Sequence, residues 1–174
     1  MNVVLTGISS FSNRGVEALA VSTIEGLLTS RPDIDVTILT NDPQTLETYR
    51  YSYYFSDRSV RIHFDAFDRA RSIYLSHLGH CGNLLKRRLL PGLIETANLV
   101  AQSDLLVFSG GDNLSSDYGS PSRWLRCLHY ASRRNTPFVL HAQSIGIFRE
   151  QKHVNEFLAV AQKAHLEAVA PNPR

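Results

Sequence analysis

Short apolar runs alternate with amphipathic stretches along most of the chain. The runs over 2–7, 34–40, 60–64, 104–111 and 138–146 are short and largely apolar, and the first of them, NVVLTG, is rich in β-branched residues. Runs of this length and composition are typical of strands that are buried on both faces of a parallel sheet. The pattern therefore predicts a strand at each of these places.

Helical periodicity fills the intervals between the predicted strands. Residues 16–30 carry apolar side chains at i, i+3, i+4 and i+7 spacing, and either Ser12 or Asn13 could cap this helix. A second helix is predicted to open at Pro91, and a third to run from an N-cap at Ser120 to a left-handed C-cap at Asn135. The stretches 72–90 and 150–165 are also helical in pattern.

This alternation predicts an α/β fold. Strands separated by helices at this spacing form βαβ units with right-handed crossovers. We expect a Rossmann-like, doubly wound, mostly parallel sheet with helices on both faces. Because no repeat, low-complexity tract or linker interrupts the pattern, one domain is predicted over 1–165, followed by a short, poorly ordered tail over 166–174.

Composition narrows the class of protein and its partners. The chain of 174 residues is 43% apolar and 20% charged, as expected of a folded domain with a real core. A formal net charge of +2 is too small to favour nucleic acid or a membrane as the main partner. The amino terminus lacks the basic and apolar segments of a signal peptide, and no window is apolar enough to span a membrane. We therefore expect a cytoplasmic protein.

Cysteine and histidine usage argues against a disulfide framework and against a metal centre. The chain has only Cys81 and Cys127, which suits a reducing compartment. His77 and His80 beside Cys81 come nearest to a zinc-like spacing, but they fit surface and core positions better, so no metal site is predicted. The basic run at 86–88 is interpreted as a solvated helix face.

Polar and glycine-rich loops follow three of the predicted strands, where open parallel sheets bind ligands. The loop over 7–15 matches neither G-x-G-x-x-G nor a Walker sequence, but it leads into a helix start that could hold an anion. Glu17, in the first turn of that helix, could compensate the helix dipole or contact a ligand. Both interpretations of Glu17 remain open.

The loop over 109–119 belongs to the stretch DLLVFSGGDNLSSDYG. Gly110 and Gly111 permit positive φ and a close backbone approach to a ligand. Asp112, Asn113 and Asp117 supply carboxylates and an amide that suit sugar hydroxyls, or a carboxylate that acts as a base. The alternative is an Asx-type turn before the next helix.

The loop over 142–148 carries hydrogen-bonding groups at the end of a strand. Gln143 and Ser144 are candidates for ligand contacts, and Gly146 relaxes the backbone beside them. His141 precedes them in the predicted strand. We expect it to be a core histidine whose hydrogen bonds are satisfied.

Together these loops resemble motifs of the polysaccharide pyruvyl transferase family. SFSNRGVEALA resembles the family's G-N-x-G-D/x-E-A segment, and SDLLVFSGGDNLSSDYG resembles its D-L-V-I-S-G-G-G-x-L-x-D segment. NTPFVLHAQSIGIF resembles its K-P-V-V-L-Y-A-Q-S-I-G-P-F segment. Order and spacing agree, and the resemblance extends to about Ala164.

The resemblance implies a GT-B-like architecture of two Rossmann-like domains, of which this chain is one half. It implies transfer of a pyruvyl group from phosphoenolpyruvate, as donor substrate and without another cofactor, to two hydroxyls of a cell-surface polysaccharide sugar. The acceptor would be a glycan or a lipid-linked sugar. The implied site residues, by position in the motifs, are Asn13, Gly15, Glu17, Gly110, Gly111, Asp117, Gln143, Ser144 and Gly146.

The chain departs from the family pattern in several places. Val16, Asp112 and Ile147 stand where the family has Asp, a third Gly and Pro. The family's basic donor-binding residues, including an R-x-H signature, belong to a second domain, whereas RIH at 61–63 lies in a predicted strand. We therefore expect a shortened member that is inactive alone, and that self-associates or needs a partner to complete the cleft.

Three functions remain open at this point. In an enzyme, Asp112, Asp117 or Glu17 would be the base, and Arg14 and Arg123 the cations that receive the donor. A binding module would hold a sugar or nucleotide sugar without turnover. A folding remnant would expose an apolar face and self-associate.

Overall fold

The computed structural model describes residues 1–44, 60–67, 91–164 and 166–169. Its elements in chain order are β1 (Asn2–Ile8), α1 (Arg14–Ser30), β2 (Asp35–Thr40), β3 (Val60–Phe64), α2 (Pro91–Gln102), β4 (Leu105–Leu114), a 3-10 turn (Ser116–Tyr118), α3 (Ser122–Arg134), β5 (Phe138–Ile145), α4 (Gln151–Ala161) and β6 (Leu166–Val169). The helical prediction over 72–90, with His77, His80, Cys81 and the basic run at 86–88, lies outside the described residues.

The strands form one parallel sheet in the order β3-β2-β1-β4-β5-β6. The predicted α/β, Rossmann-like fold is confirmed, and the strand at 60–64, which contains the RIH sequence, is confirmed as β3. Strand order reverses between β1 and β4, and doubly wound sheets bind ligands in the crevice at such a reversal. The fold therefore predicts a ligand site at the loops that follow β1 and β4.

Apolar layers cover the two faces of the sheet. Helix α1 packs on one face, against alternate residues such as Val3 and Leu5, while α2, α3 and α4 pack on the other. Successive strand residues point to opposite faces, so a strand covered on both sides must be apolar throughout. Cys127 belongs to the second layer, where burial raises the pKa of its thiol well above the ordinary value and keeps it neutral.

Helix lengths and strand ends refine several predictions. None of the helices in the described ranges has both the length and the apolar character that crossing a bilayer requires. Residues 166–169, assigned to a poorly ordered tail from sequence, instead form β6 and pair in parallel with β5. Strand β4 continues to Leu114, beyond its predicted end at Gly111, and its pairing with β5 shifts register between these residues. The glycine pair therefore lies in an irregular strand end rather than in a free loop.

Caps explain where the helices begin and end. Asn13, one of the two predicted candidates, is the N-cap of α1. Asn135 adopts a left-handed conformation (φ 56°) as the C-cap of α3, as predicted. Ser120 is not the N-cap of α3, because Pro121 occupies that position and makes no side-chain cap bond. The Ser120 hydroxyl lies 3.2 Å from His153 Nε2 in α4. The Ser120 hydroxyl therefore contacts a residue of another helix instead of capping α3.

Replacement of Asn13 by Ala is expected to lower the free energy of unfolding by about 1 kcal/mol, because the first turn of α1 loses its side-chain acceptor. Urea denaturation followed by circular dichroism measures the change. Asn13→Asp retains an acceptor oxygen and is the matched control. Equal stability of the Ala variant and the control would contradict the assignment of Asn13 as the cap.

Candidate functional site

A cavity of about 320 Å³ lies at the point where the strand order reverses. That volume is at the lower end of the range for small-molecule sites. The loop after β1, the start of α1, the irregular end of β4 and the start of α3 enclose it. Its lining residues are Ser9, Asn13, Gly15, Val16, Leu19, Gly110, Gly111, Asp112, Asn113, Arg123 and Trp124.

The start of α1 forms one wall of the cavity. Asn13 Oδ1 accepts hydrogen bonds from the backbone N–H groups of Gly15 (3.0 Å) and Val16 (3.4 Å). The backbone N–H of Glu17 donates to the carbonyl of Asn13 at 2.9 Å. Because these donors are already engaged within the helix start, this wall offers an anion less than an open helix terminus would. Amide and hydroxyl side chains are its main polar surface.

The glycine pair at the end of β4 forms the opposite wall. A Cβ at Gly110 would overlap the Asn113 side chain and the carbonyl oxygen of Gly7, so only glycine fits there. Gly111 has a φ of 65°, which other residues rarely adopt. Asn113 Nδ2 donates to the Gly7 carbonyl at 2.7 Å and joins the ends of β4 and β1. Part of the amide of Asn113 is thus used to hold the wall together.

Asp112 and Arg123 are the charged residues among the described residues that line the cavity. Asp112 is exposed, and its carboxylate makes no hydrogen bond or ion pair with any residue in the described ranges. The Arg123 guanidinium lies 4.4 Å from the centroid of the Trp124 ring, a cation–π distance that orients it at the start of α3. Since no side chain caps that helix start, its positive end adds to the charge of Arg123.

Asp117 lies outside the cavity wall, in the 3-10 turn. Arg149 Nη2 donates to its Oδ1 at 3.3 Å, and both side chains are exposed. The Ser115 hydroxyl donates to Oδ2 of Asp117 at 3.1 Å. The structure therefore separates Asp117 from Asp112, although the sequence motif places them five residues apart. Their proposed catalytic roles become distinguishable by mutation.

The third predicted loop also lies outside the cavity wall. Gln143 is only 1% exposed, so its side chain is not presented to a ligand. Gly146 packs against Ser115, where an added Cβ would overlap that side chain, and its N–H donates to the Leu114 carbonyl at 3.1 Å. Ser144 is half-buried. This loop therefore packs against the end of β4 and stabilises it without lining the cavity.

Arg14 and Glu17 complete the predicted set, and neither lines the cavity. Arg14 is exposed and Glu17 is half-buried in the first turn of α1. His141 is exposed, so its prediction as a core histidine is wrong. It shares a face of β5 with Val139, the face opposite to α2, α3 and α4, which leaves it uncovered.

Sequence reasoning missed four lining residues: Ser9, Val16, Leu19 and Trp124. Trp124 lies in an apolar stripe of α3 that indicates only burial, and Leu19 lies in the corresponding stripe of α1. The signal that could have selected them is topological. Once β1 and β4 are known to be neighbours at the reversal, the helices that follow them must frame the crevice.

Comparison with known proteins gives one family. A family model described as polysaccharide pyruvyl transferase matches residues 13–166. The match begins at the cap of α1 and includes both walls of the cavity. A search of the curated proteins found no match to this chain.

Proposed function

Because the chain belongs to the polysaccharide pyruvyl transferase family, we propose that the cavity between α1 and the end of β4 binds the sugar acceptor of a pyruvyl transfer. The donor in this proposal is phosphoenolpyruvate. The acceptor is a glycan or a lipid-linked sugar that presents two neighbouring hydroxyls. The product is a cyclic pyruvate ketal on that sugar, together with inorganic phosphate.

The carboxylate of Asp112, which lines the cavity and has no partner within the described residues, is the observation that carries this proposal. It stands in a wall that also offers the amides of Asn13 and Asn113 and the hydroxyl of Ser9. Carboxylates, amides and hydroxyls are the groups that hydrogen-bond sugar hydroxyls. A donor with both a phosphate and a carboxylate would need more positive charge than one guanidinium supplies. The lining therefore suits the acceptor better than the whole donor.

Asp112 is assigned the role of general base. As a sugar hydroxyl attacks C2 of phosphoenolpyruvate, its proton passes to the Asp112 carboxylate, and the methylene carbon takes a proton from solvent to become a methyl group. Asp112 then returns its proton to solvent. The second hydroxyl then attacks C2, and the C–O bond to phosphate breaks. The proton of this second hydroxyl leaves with the phosphate. Arg123, beside the uncapped start of α3, is assigned the role of stabilising negative charge that develops on the donor.

One observation favours a second candidate, a sugar-binding domain without turnover. Within the described residues, Arg123 is the sole cation of the cavity wall. A domain of this kind would bind sugars saturably and release no phosphate from phosphoenolpyruvate. The same experiment separates the two candidates, because binding and phosphate release are measured independently.

Trp124 makes the experiment direct, because it is the only tryptophan of the chain and lies in the cavity wall. Methyl glycosides of galactose, glucose and mannose are titrated while tryptophan emission is recorded, and phosphate release from phosphoenolpyruvate is then followed with the sugar that binds. A saturable emission change with phosphate release supports the transferase. Binding without release supports the binding domain, and no binding contradicts both.

The Arg123→Gln variant is expected to reduce kcat/KM for phosphate release by about 10²-fold, because a cation that stabilises developing negative charge is lost. Arg123 is exposed, so the fold should persist. Arg133→Gln, at the exposed last turn of the same helix, is the matched control and should retain the activity. Similar activities for the two variants would remove Arg123 from the site.

A further inference from the structure

Gln143 makes its hydrogen bonds to the backbone of the glycine pair. In the amide orientation that satisfies both of its polar atoms, Nε2 donates to the carbonyl of Gly111 at 3.0 Å and Oε1 accepts from the N–H of Gly110 at 2.6 Å. The opposite orientation leaves only a 3.4 Å bond from Nε2 to the carbonyl of His141. Because the side chain is buried, the better-satisfied orientation is favoured.

The backbone of β5 is bent at the residue that precedes Gln143. Ala142 has a φ of 51°, and the only other non-glycine residue with positive φ in the described ranges is Asn135, a helix C-cap. No cap accounts for Ala142. The pairing of β5 with β6 shifts register between His141 and Gln143, as expected of a bulge that redirects a side chain. Strain of this kind is found where a particular side-chain direction is required.

The two hydrogen bonds from the Gln143 amide to Gly110 and Gly111, called the clamp below, lie where the pairing of β4 with β5 is interrupted. Gly111 is opposite Gln143 in the register, and regular pairing resumes only at Leu114. The Gln143 amide supplies hydrogen-bond partners on one side of this gap, while Asn113 fastens the other side to Gly7. Asp112 lies between these attachments. The backbone position of Asp112 therefore depends on the hydrogen bonds of Gln143 rather than on bonds of its own side chain.

We propose that Gln143 is a positioning residue for the pyruvyl transfer. It holds the Gly110–Gly111 backbone from within the sheet, and so places Asp112 against the acceptor without touching the acceptor itself. The role given to Asp112 rests on the proposed function. The clamp on the glycine backbone does not, and it can be tested separately.

The first measurement is amide hydrogen exchange at Gly110, followed by nuclear magnetic resonance on the full chain. Gln143→Met keeps the volume and removes both hydrogen bonds, so the Gly110 N–H should exchange at least about ten-fold faster. Gln143→Glu keeps an acceptor for that N–H and should preserve its protection. Unchanged exchange in the Met variant would overturn the clamp. If the Met variant does not fold, a scalar coupling across the hydrogen bond from the Gly110 N–H to the Gln143 side-chain carbonyl, measured in the unsubstituted protein, decides the question, and its absence would overturn the clamp.

The second measurement separates kcat from KM for the acceptor. Gln143→Met should lower kcat by about 10- to 100-fold with little change in acceptor KM, since a displaced Asp112 affects the reacting geometry more than binding. Gln143→Glu, which keeps the bond to the Gly110 N–H, should lower kcat less. Leu128→Val, a core change in α3, is the control for lost stability and should retain kcat per folded molecule. A raised KM with unchanged kcat would instead assign Gln143 a direct contact with the acceptor. Absence of phosphate release in the unsubstituted protein would refute the proposed function, while Gly110 exchange would still decide the clamp.

Discussion

Replacement of Asp112 by Asn is expected to lower kcat for phosphate release from phosphoenolpyruvate by about 10²–10⁴-fold. The amide keeps the shape and hydrogen-bonding capacity of the side chain but cannot accept the proton of the attacking hydroxyl. Because Asp112 is exposed and makes no bond within the described ranges, the fold should be unaffected. Steady-state phosphate release measures the rate, and Trp124 emission measures sugar binding, which should change little.

Asp117→Asn is the matched control, because the same chemical change removes only an exposed ion pair with Arg149. Pairs of this kind contribute about 0–1 kcal/mol to stability. We expect this variant to retain most of the activity. A large loss in Asp117→Asn together with normal activity in Asp112→Asn would move the base to Asp117 and place the reaction outside the cavity described above. Glu17→Gln tests the remaining carboxylate in the same way.

Replacement of Gly7 by Ala is expected to lower the free energy of unfolding by about 2–5 kcal/mol, the sum of backbone strain and overpacking. Gly7 has a φ of 89°, and a Cβ there would overlap the carbonyl of Ser109 in the neighbouring strand. The neighbouring atom belongs to the backbone, so it cannot move aside as a flexible side chain could. Since domains are stable by about 5–15 kcal/mol, this is a large fraction of the total.

Gly111→Ala is the control that separates the cost of backbone strain from the cost of overpacking. Its φ of 65° is also positive, but an added Cβ would meet only Leu19 Cδ1, at an ordinary contact distance of 3.7 Å. Only the conformational cost, about 1–2 kcal/mol, should appear in urea denaturation. Equal losses for the Gly7 and Gly111 variants would show that the close approach of β1 to β4 does not limit stability.

Close approach at Gly7 also links the fold to the proposed chemistry. The carbonyl of Gly7 receives the Asn113 amide, and the backbone of Gly7 abuts the strand that carries Gly110. The cavity wall is therefore built on the contact that brings β1 and β4 together at the strand-order reversal. Substitutions that loosen this contact should reduce activity before the domain unfolds, because Asp112 stands on the same strand end.

Local patterns in the sequence predicted most of the secondary structure. Apolar runs, helical periodicity and cap residues depend on neighbours within a few positions, so Asn135 could be assigned as a cap from sequence and the cap of α1 limited to Ser12 or Asn13, of which the structure selects Asn13. The Ser120 cap failed because His153, from another helix, competes for the hydroxyl. For residues 166–169 the tail prediction failed because the edge of β5 pairs with them as another strand.

The sequence by itself determined the α/β class, the strand-end position of the candidate loops, and the motifs that indicate the family. Only the tertiary structure decided which polar residues face the cavity. Strand parity would assign a face to each side chain, but positive φ at Gly111 and Ala142 breaks that parity on β4 and β5. These bends turn Gln143 onto the glycine backbone, while the partner of Asp117 comes from the loop after β5. Asp112 lines the cavity and has no partner in the part of the chain that the structure describes. Contacts between residues distant in the chain set these directions, so no local pattern contains them.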